Sequence, residues 1–116
     1  MANTPTSVSG ITISKMYAAS YDFVAGAADA AIANEVFSGF EGFLAGVAVK
    51  FGTTAPTSGT VFDVTDADGI VIATGALTAS GRLTIDKPIP FIGNLTVSST
   101  GNAVNSATGK VRLFFV

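Results

Sequence analysis

Hydrophobic residues recur at every second position over much of this chain, which is the repeat of a pleated β-strand. The clearest case is segment 43–51. One face of the predicted strand carries Phe43, Ala45, Val47, Val49 and Phe51. The other face carries Leu44, Gly46, Ala48 and Lys50. The sequence therefore predicts a strand over residues 43–51.

A hairpin is predicted shortly afterwards. Segments 61–65 and 70–74 alternate in the same way and flank the sequence Asp66-Ala67-Asp68-Gly69, which is a strong turn signal. We interpret all three non-alanine residues as turn-forming. The side chains of Asp66 and Asp68 are expected to accept hydrogen bonds from turn amides, and Gly69 is expected to supply a positive φ.

The same alternation predicts further strands at 8–14, 16–24, 82–85, 94–100 and 110–116. Segment 25–40 is open to two interpretations, because its apolar residues fit a helical period as well as a strand. We favour a strand over 32–37, preceded by one short helical turn near 27–31, where alanines give high helix propensity.

Turn residues set the fold class. Pro88 and Pro90 remove two ladder donors, so segment 87–90 is predicted to cross between sheets or to form an edge. Glycines and other turn signals separate the short strands at intervals of about 8–12 residues. The prediction is an all-β fold, a single antiparallel β-sandwich or jelly-roll-like barrel of about 7–9 short strands. Residues 8–116 form this one domain, and residues 1–7 form an extended arm or a frayed terminus.

The composition points to association. Only 12% of the 116 residues are charged, about half of the usual ~25%. So few charges protect a monomer poorly, and we interpret part of the surface as covered by other subunits. The alternative is a monomer whose surface relies on Ser, Thr, Asn and Gly. The start of the chain lacks the features of a signal peptide, and the most apolar stretch, 23–33, is too short to span a bilayer. A soluble protein without a membrane partner is expected.

Little in the sequence supports catalysis. The chain has no His and no Cys, which removes the commonest general base and the soft metal ligands. The acidic segment beginning at Asp66 fails as a calcium loop, because position 5 is Ile70 and position 12 is Leu77. The six basic residues are spread along the chain without a cluster, so a nucleic-acid partner is not expected. We expect no enzyme activity, no cofactor and no metal.

Two groups of residues are candidates for a protein interface. In the last strand Val111, Leu113 and Phe115 form one apolar face, and Arg112, Phe114 and Val116 lie on the opposite face. A strand with apolar residues on both faces is expected to be covered on both, either by another subunit or by the chain end folding over. The second group is Phe37 and Phe40, which, with Phe43, form either a contact patch or core residues around a bend.

The second half of the chain resembles small virion structural proteins of tailed bacteriophages. The resemblance rests on the order of turns and strands over residues 43–116: FGTTAPTSGTVFDVTDADGIVIATGAL, then DKPIPFIGNLTVSSTGN, then ATGKVRLFFV. It includes no specific chemical motif. Residues 1–42 carry no such resemblance.

The resemblance implies a capsid decoration protein, also called a cement protein. Such a protein binds the outer surface of the major capsid protein shell, commonly as a dimer or trimer, and stabilises it against internal DNA pressure. It would be made in the host cytoplasm and end on the capsid surface. The alternatives are a neck, collar or tail component with the same sandwich, and a receptor- or glycan-binding module.

Overall fold

A computed structural model describes residues 17–40 and 42–116. The predicted arm 1–7 and the predicted strand 8–14 lie outside the described residues. The described residues form nine strands: β1 (Tyr17–Val24), β2 (Glu35–Phe37), β3 (Phe43–Phe51), β4 (Thr60–Thr65), β5 (Val71–Leu77), β6 (Gly81–Arg82), β7 (Ile89–Pro90), β8 (Leu95–Thr100) and β9 (Thr108–Phe115).

The strands form two antiparallel sheets that pack together as a β-sandwich. Sheet A has the order β1-β9-β3-β6, and β7 also pairs with β3. Sheet B has the order β2-β8-β4-β5. Only β4 and β5 are joined as a hairpin within sheet B, so most connections cross from one sheet to the other. The predicted all-β sandwich is confirmed.

One hydrophobic core lies between the sheets. Phe23 of sheet A meets Phe62 of sheet B with ring centroids 6.0 Å apart. The inward residues of β9 are completely buried, as their alternation predicted. The buried cluster consists of Phe23, Phe37, Leu44, Val47, Val49, Phe62, Val64, Ala73, Leu77, Leu83, Leu95, Val97, Val111, Leu113 and Phe115.

The start of β3 differs from the simple alternation. Leu44 is fully buried and Phe43 is 45% exposed, the reverse of the predicted faces. The pairing of β3 with β9 shifts register between Leu44 and Gly46, which is a β-bulge. Because the bulge inserts one extra residue, Leu44 points inward together with Val47.

Segment 25–40 forms a turn followed by a short strand. The amide of Ala30 donates to the carbonyl of Gly26 at 3.1 Å, so the predicted helical turn reduces to one hydrogen-bonded turn. The predicted strand 32–37 is present only as β2, which pairs with β8. The described part of the chain contains no helix, and therefore none long and apolar enough to cross a membrane.

The proline segment lies at an edge, as predicted. Pro90 pairs with Phe43 at one end of β3, and the chain then crosses to β8 in sheet B. Predicted strand 82–85 is a strand only at its start, as β6, and the amide of Leu83 donates one further hydrogen bond to the carbonyl of Val47. Its alternation is nevertheless retained, since Leu83 is buried and Ile85 packs against the core.

Candidate functional site

The outer face of sheet A brings together two predicted interface residues, Arg112 and Phe114, with residues that the sequence did not associate with them. In β9 the inward residues are Val111, Leu113 and Phe115, so the alternate residues point away from the core. Arg112 is exposed and Phe114 is half-buried on this outer surface. Both therefore lie where the sequence predicted them, on the face opposite the apolar one.

The strand register places further basic residues beside them. Arg112 lies between Ser20 of β1 and Ala48 of β3. Ala48 pairs on its other side with Arg82 of β6. Two residues away along each strand, Lys110 lies directly opposite Lys50. Directly opposite residues in an antiparallel sheet share a face, so these four cations surround the small side chain of Ala48.

We call this surface the basic face, defined by Lys50, Arg82, Lys110, Arg112 and Phe114. It contains four of the chain's six basic residues and both of its arginines. The prediction that the chain has no basic cluster is thus wrong in three dimensions. Three separate stretches of sequence supply the four cations, and only the order β9-β3-β6 makes them neighbours.

The middle of the basic face is a shallow groove. Its volume is about 500 Å³, and its lining includes all five residues of the basic face. The guanidinium carbon of Arg82 lies 5.0 Å from the centroid of the Phe114 ring, which is a cation–π contact. Ala48, whose side chain is small, lines the groove between these larger side chains.

Positive charge on the basic face is only partly balanced. The Nζ atom of Lys110 lies 3.8 Å from a carboxylate oxygen of Asp22, and the two side chains are 42% and 77% exposed. An exposed pair of this kind contributes little stability. Among the described residues, Asp22 is the one carboxylate that the strand register places on this face. Four cations and one carboxylate give the surface a charge of +3, although the whole chain carries −2.

The other predicted interface residues lie near one end of the sandwich. Phe37 is buried in the core at 8% exposure. Of the two alternatives, it is therefore a core residue beside the bend and not part of an exposed contact patch. Phe40 is half-buried and stacks on Phe115 with ring centroids 4.6 Å apart. Val116 is 38% exposed, and its backbone is hydrogen-bonded in both directions to Phe43.

Tyr17 shares the alternation of β1 with the buried Phe23 but is itself not buried. It is 57% exposed, because it stands at the start of β1, the outermost described strand of sheet A. Together with Phe40 it lines a groove of about 430 Å³ at the end of the sandwich.

The acidic turn builds the hairpin. One carboxylate oxygen of Asp66 accepts from the amides of Asp68 and Ile70 at 3.0 and 3.1 Å. Gly69 has φ of +81°, as predicted. Asp68 takes part through its backbone amide, which differs from the side-chain role predicted for it. Residues 17–40 and 42–116 contain no group of three His, Cys, Asp or Glu side chains that could hold a metal ion.

Comparisons with protein-family models, with curated proteins and with solved structures found no match to this chain.

Proposed function

We propose that this protein is a non-enzymatic structural protein of a phage virion, a capsid decoration protein that binds the outer surface of the major capsid protein shell. The observation that carries the proposal is the basic face: a broad, shallow outer sheet surface on which Arg112 and Phe114 stand beside three more cations. A surface of this shape suits a flat protein contact.

The sandwich supports the same role. Its single core lies between the sheets and leaves the outer face of sheet A to a partner. Each copy contributes a modest contact, and many copies on one shell act together, because multivalent attachment raises the effective strength of weak contacts. Assembly into dimers or trimers on symmetry axes belongs to the same proposal.

Copy number tests the assignment to the shell. Densitometry of purified virions should give a copy number comparable to that of the major capsid protein. A copy number equal to a single ring at a unique vertex would instead identify a neck, collar or tail component. Binding of the isolated protein to host cells or to a glycan array, without attachment to the shell, would identify a receptor- or glycan-binding module.

A single substitution tests the surface. Phe114→Ser should leave the circular dichroism spectrum β-rich while abolishing attachment to shells that lack the protein. Ile92→Ser is the matched control, since Ile92 is a 59% exposed apolar residue on a loop after β7. Equal attachment by both variants would rule out the basic face as the contact surface.

A further inference from the structure

We infer that the basic face binds an extended acidic segment of a partner protein, through carboxylates that fit between the cations of β3, β6 and β9. This inference deepens the proposed function, since it concerns the same surface and names the chemistry of what that surface contacts.

Two lysines face each other on the outer surface of sheet A. Lys50 and Lys110 are direct cross-strand partners on the outer face. Like charges directly opposite each other destabilise a sheet. The neighbouring Asp22 is 77% exposed and lies 3.8 Å from Lys110, so it screens the repulsion weakly. A bound anion would relieve this repulsion, and that relief would make the free energy of binding more favourable.

The two arginines of the basic face are suited to binding carboxylates. Both arginines of the chain lie on this one face, and Arg82 is held against the ring of Phe114. A guanidinium presents a planar fork of donors that matches the two oxygens of a carboxylate. Holding Arg82 against the ring reduces the side-chain freedom that binding must remove.

Spacing favours an extended segment. Lys110 and Arg112 are two residues apart on β9, a distance of about 6.8 Å along a strand. Arg112 and Arg82 are separated by the width of two strand spacings, roughly 10 Å. An extended peptide projects alternate side chains to the same side at about 6.8 Å, so acidic residues at every second position match the rows of cations. Phe114 adds an apolar surface for their methylene groups.

The size of the patch argues for protein rather than nucleic acid. Proteins that bind duplex DNA tightly neutralise on the order of 6–10 phosphates, whereas this face offers four cations. The chain as a whole carries −2, so a long polyanion would be repelled beyond the edges of the face.

Binding of a fluorescent deca-glutamate peptide tests the inference. The full-length protein should bind the peptide at low salt, and amide NMR shifts should concentrate on β3, β6 and β9. Affinity should fall when salt is raised, because exposed charges are screened within about 10 Å at 0.1 M ionic strength. A single-stranded oligonucleotide of equal charge should bind more weakly. Tighter binding of the oligonucleotide, or shifts elsewhere on the surface, would overturn the inference.

Charge reversal locates the contact. Arg112→Glu should weaken peptide binding by about tenfold, a free-energy change of ~1.4 kcal/mol. Lys87→Glu is the matched control, since it makes the same charge change at an exposed position outside the basic face and should leave affinity nearly unchanged. Equal losses in both variants would show that only net charge matters, which contradicts a defined surface. Thermal melting of both variants verifies that they are folded.

The two proposals fail separately. Attachment to shells without affinity for the acidic peptide would overturn this inference and leave the proposed function standing. If the protein binds the peptide, loses that binding in Arg112→Glu and does not attach to shells, the proposed function is overturned and this inference stands.

Discussion

Burial of Tyr21 makes the stability of the fold depend on pH. Its ring packs 5.6 Å from that of Phe37, between centroids. Burial, with a further contribution from the negative charge of Glu35, raises the pKa of Tyr21 from 10.0 to about 12. The folded protein therefore keeps the phenol protonated at a pH at which the unfolded chain ionises it.

The sign of the pH effect follows from linkage. Because the folded pKa is raised, Tyr21 contributes stability that is fully present below pH 10.0 and is lost as pH rises through about 12. Urea unfolding across this window should show the midpoint falling for the natural protein and falling less for Tyr21→Phe, which has no ionisable phenol. The same decline in both proteins would contradict the assignment to Tyr21.

Asp66 is the residue on which the β4–β5 turn depends. Asp66→Ala removes the acceptor of two amide hydrogen bonds and should lower the free energy of unfolding by about 1 kcal/mol. Asp66→Asn keeps an acceptor oxygen in place and should lose less. Asp68→Ala is the control, because Asp68 contributes its backbone amide. Urea denaturation of the three variants measures the order, and a larger loss for Asp68→Ala would contradict this account of the turn.

At the scale of elements, the approach of β1 to β9 depends on Gly109. A Cβ built on Gly109 would lie 2.6 Å from a ring carbon of Phe23 and 2.7 Å from the carbonyl oxygen of Lys50. The same atom on Gly46, in neighbouring β3, would meet its nearest atom, on Phe114, at 3.4 Å. Only the first position has no room for a side chain.

Alanine substitutions at Gly109 and at Gly46 should differ in their effect on stability. Gly109→Ala forces Phe23 or the backbone of β3 to move and should cost roughly 2 kcal/mol or more of stability. Gly46→Ala should be close to neutral. Thermal unfolding of both variants measures the difference, and equal melting temperatures would show that sheet A adjusts freely at Gly109.

The elements also show what local pattern can and cannot predict. The alternation was sufficient to predict strands in β9 and around the hairpin, and in β9 it also predicted the inward residues, because the direction of a side chain in a strand is a local property. It failed at Phe43 and Leu44, because a bulge depends on how β3 pairs with β9. It missed the basic face for a related reason, since no local signal shows that Lys50 and Lys110 become direct partners.

For the molecule as a whole, the basic face lowers the free energy of unfolding. The cross-strand pair Lys50 and Lys110 repels, and the sandwich retains it on an exposed sheet surface. If this surface exists to bind carboxylates, stability and binding should respond in opposite directions when the pair is changed.

Lys50→Glu tests that opposition directly. A carboxylate opposite Lys110 replaces repulsion with attraction, so the free energy of unfolding should rise by about 0.5 kcal/mol. Affinity for deca-glutamate should nevertheless fall by about tenfold, because one of the four cations becomes an anion. Lys87→Glu, with the same change in net charge, should alter neither quantity much. Urea unfolding and peptide titration on the same samples provide both measurements. A variant that gains stability and keeps its affinity would show that Lys50 does not belong to the binding surface.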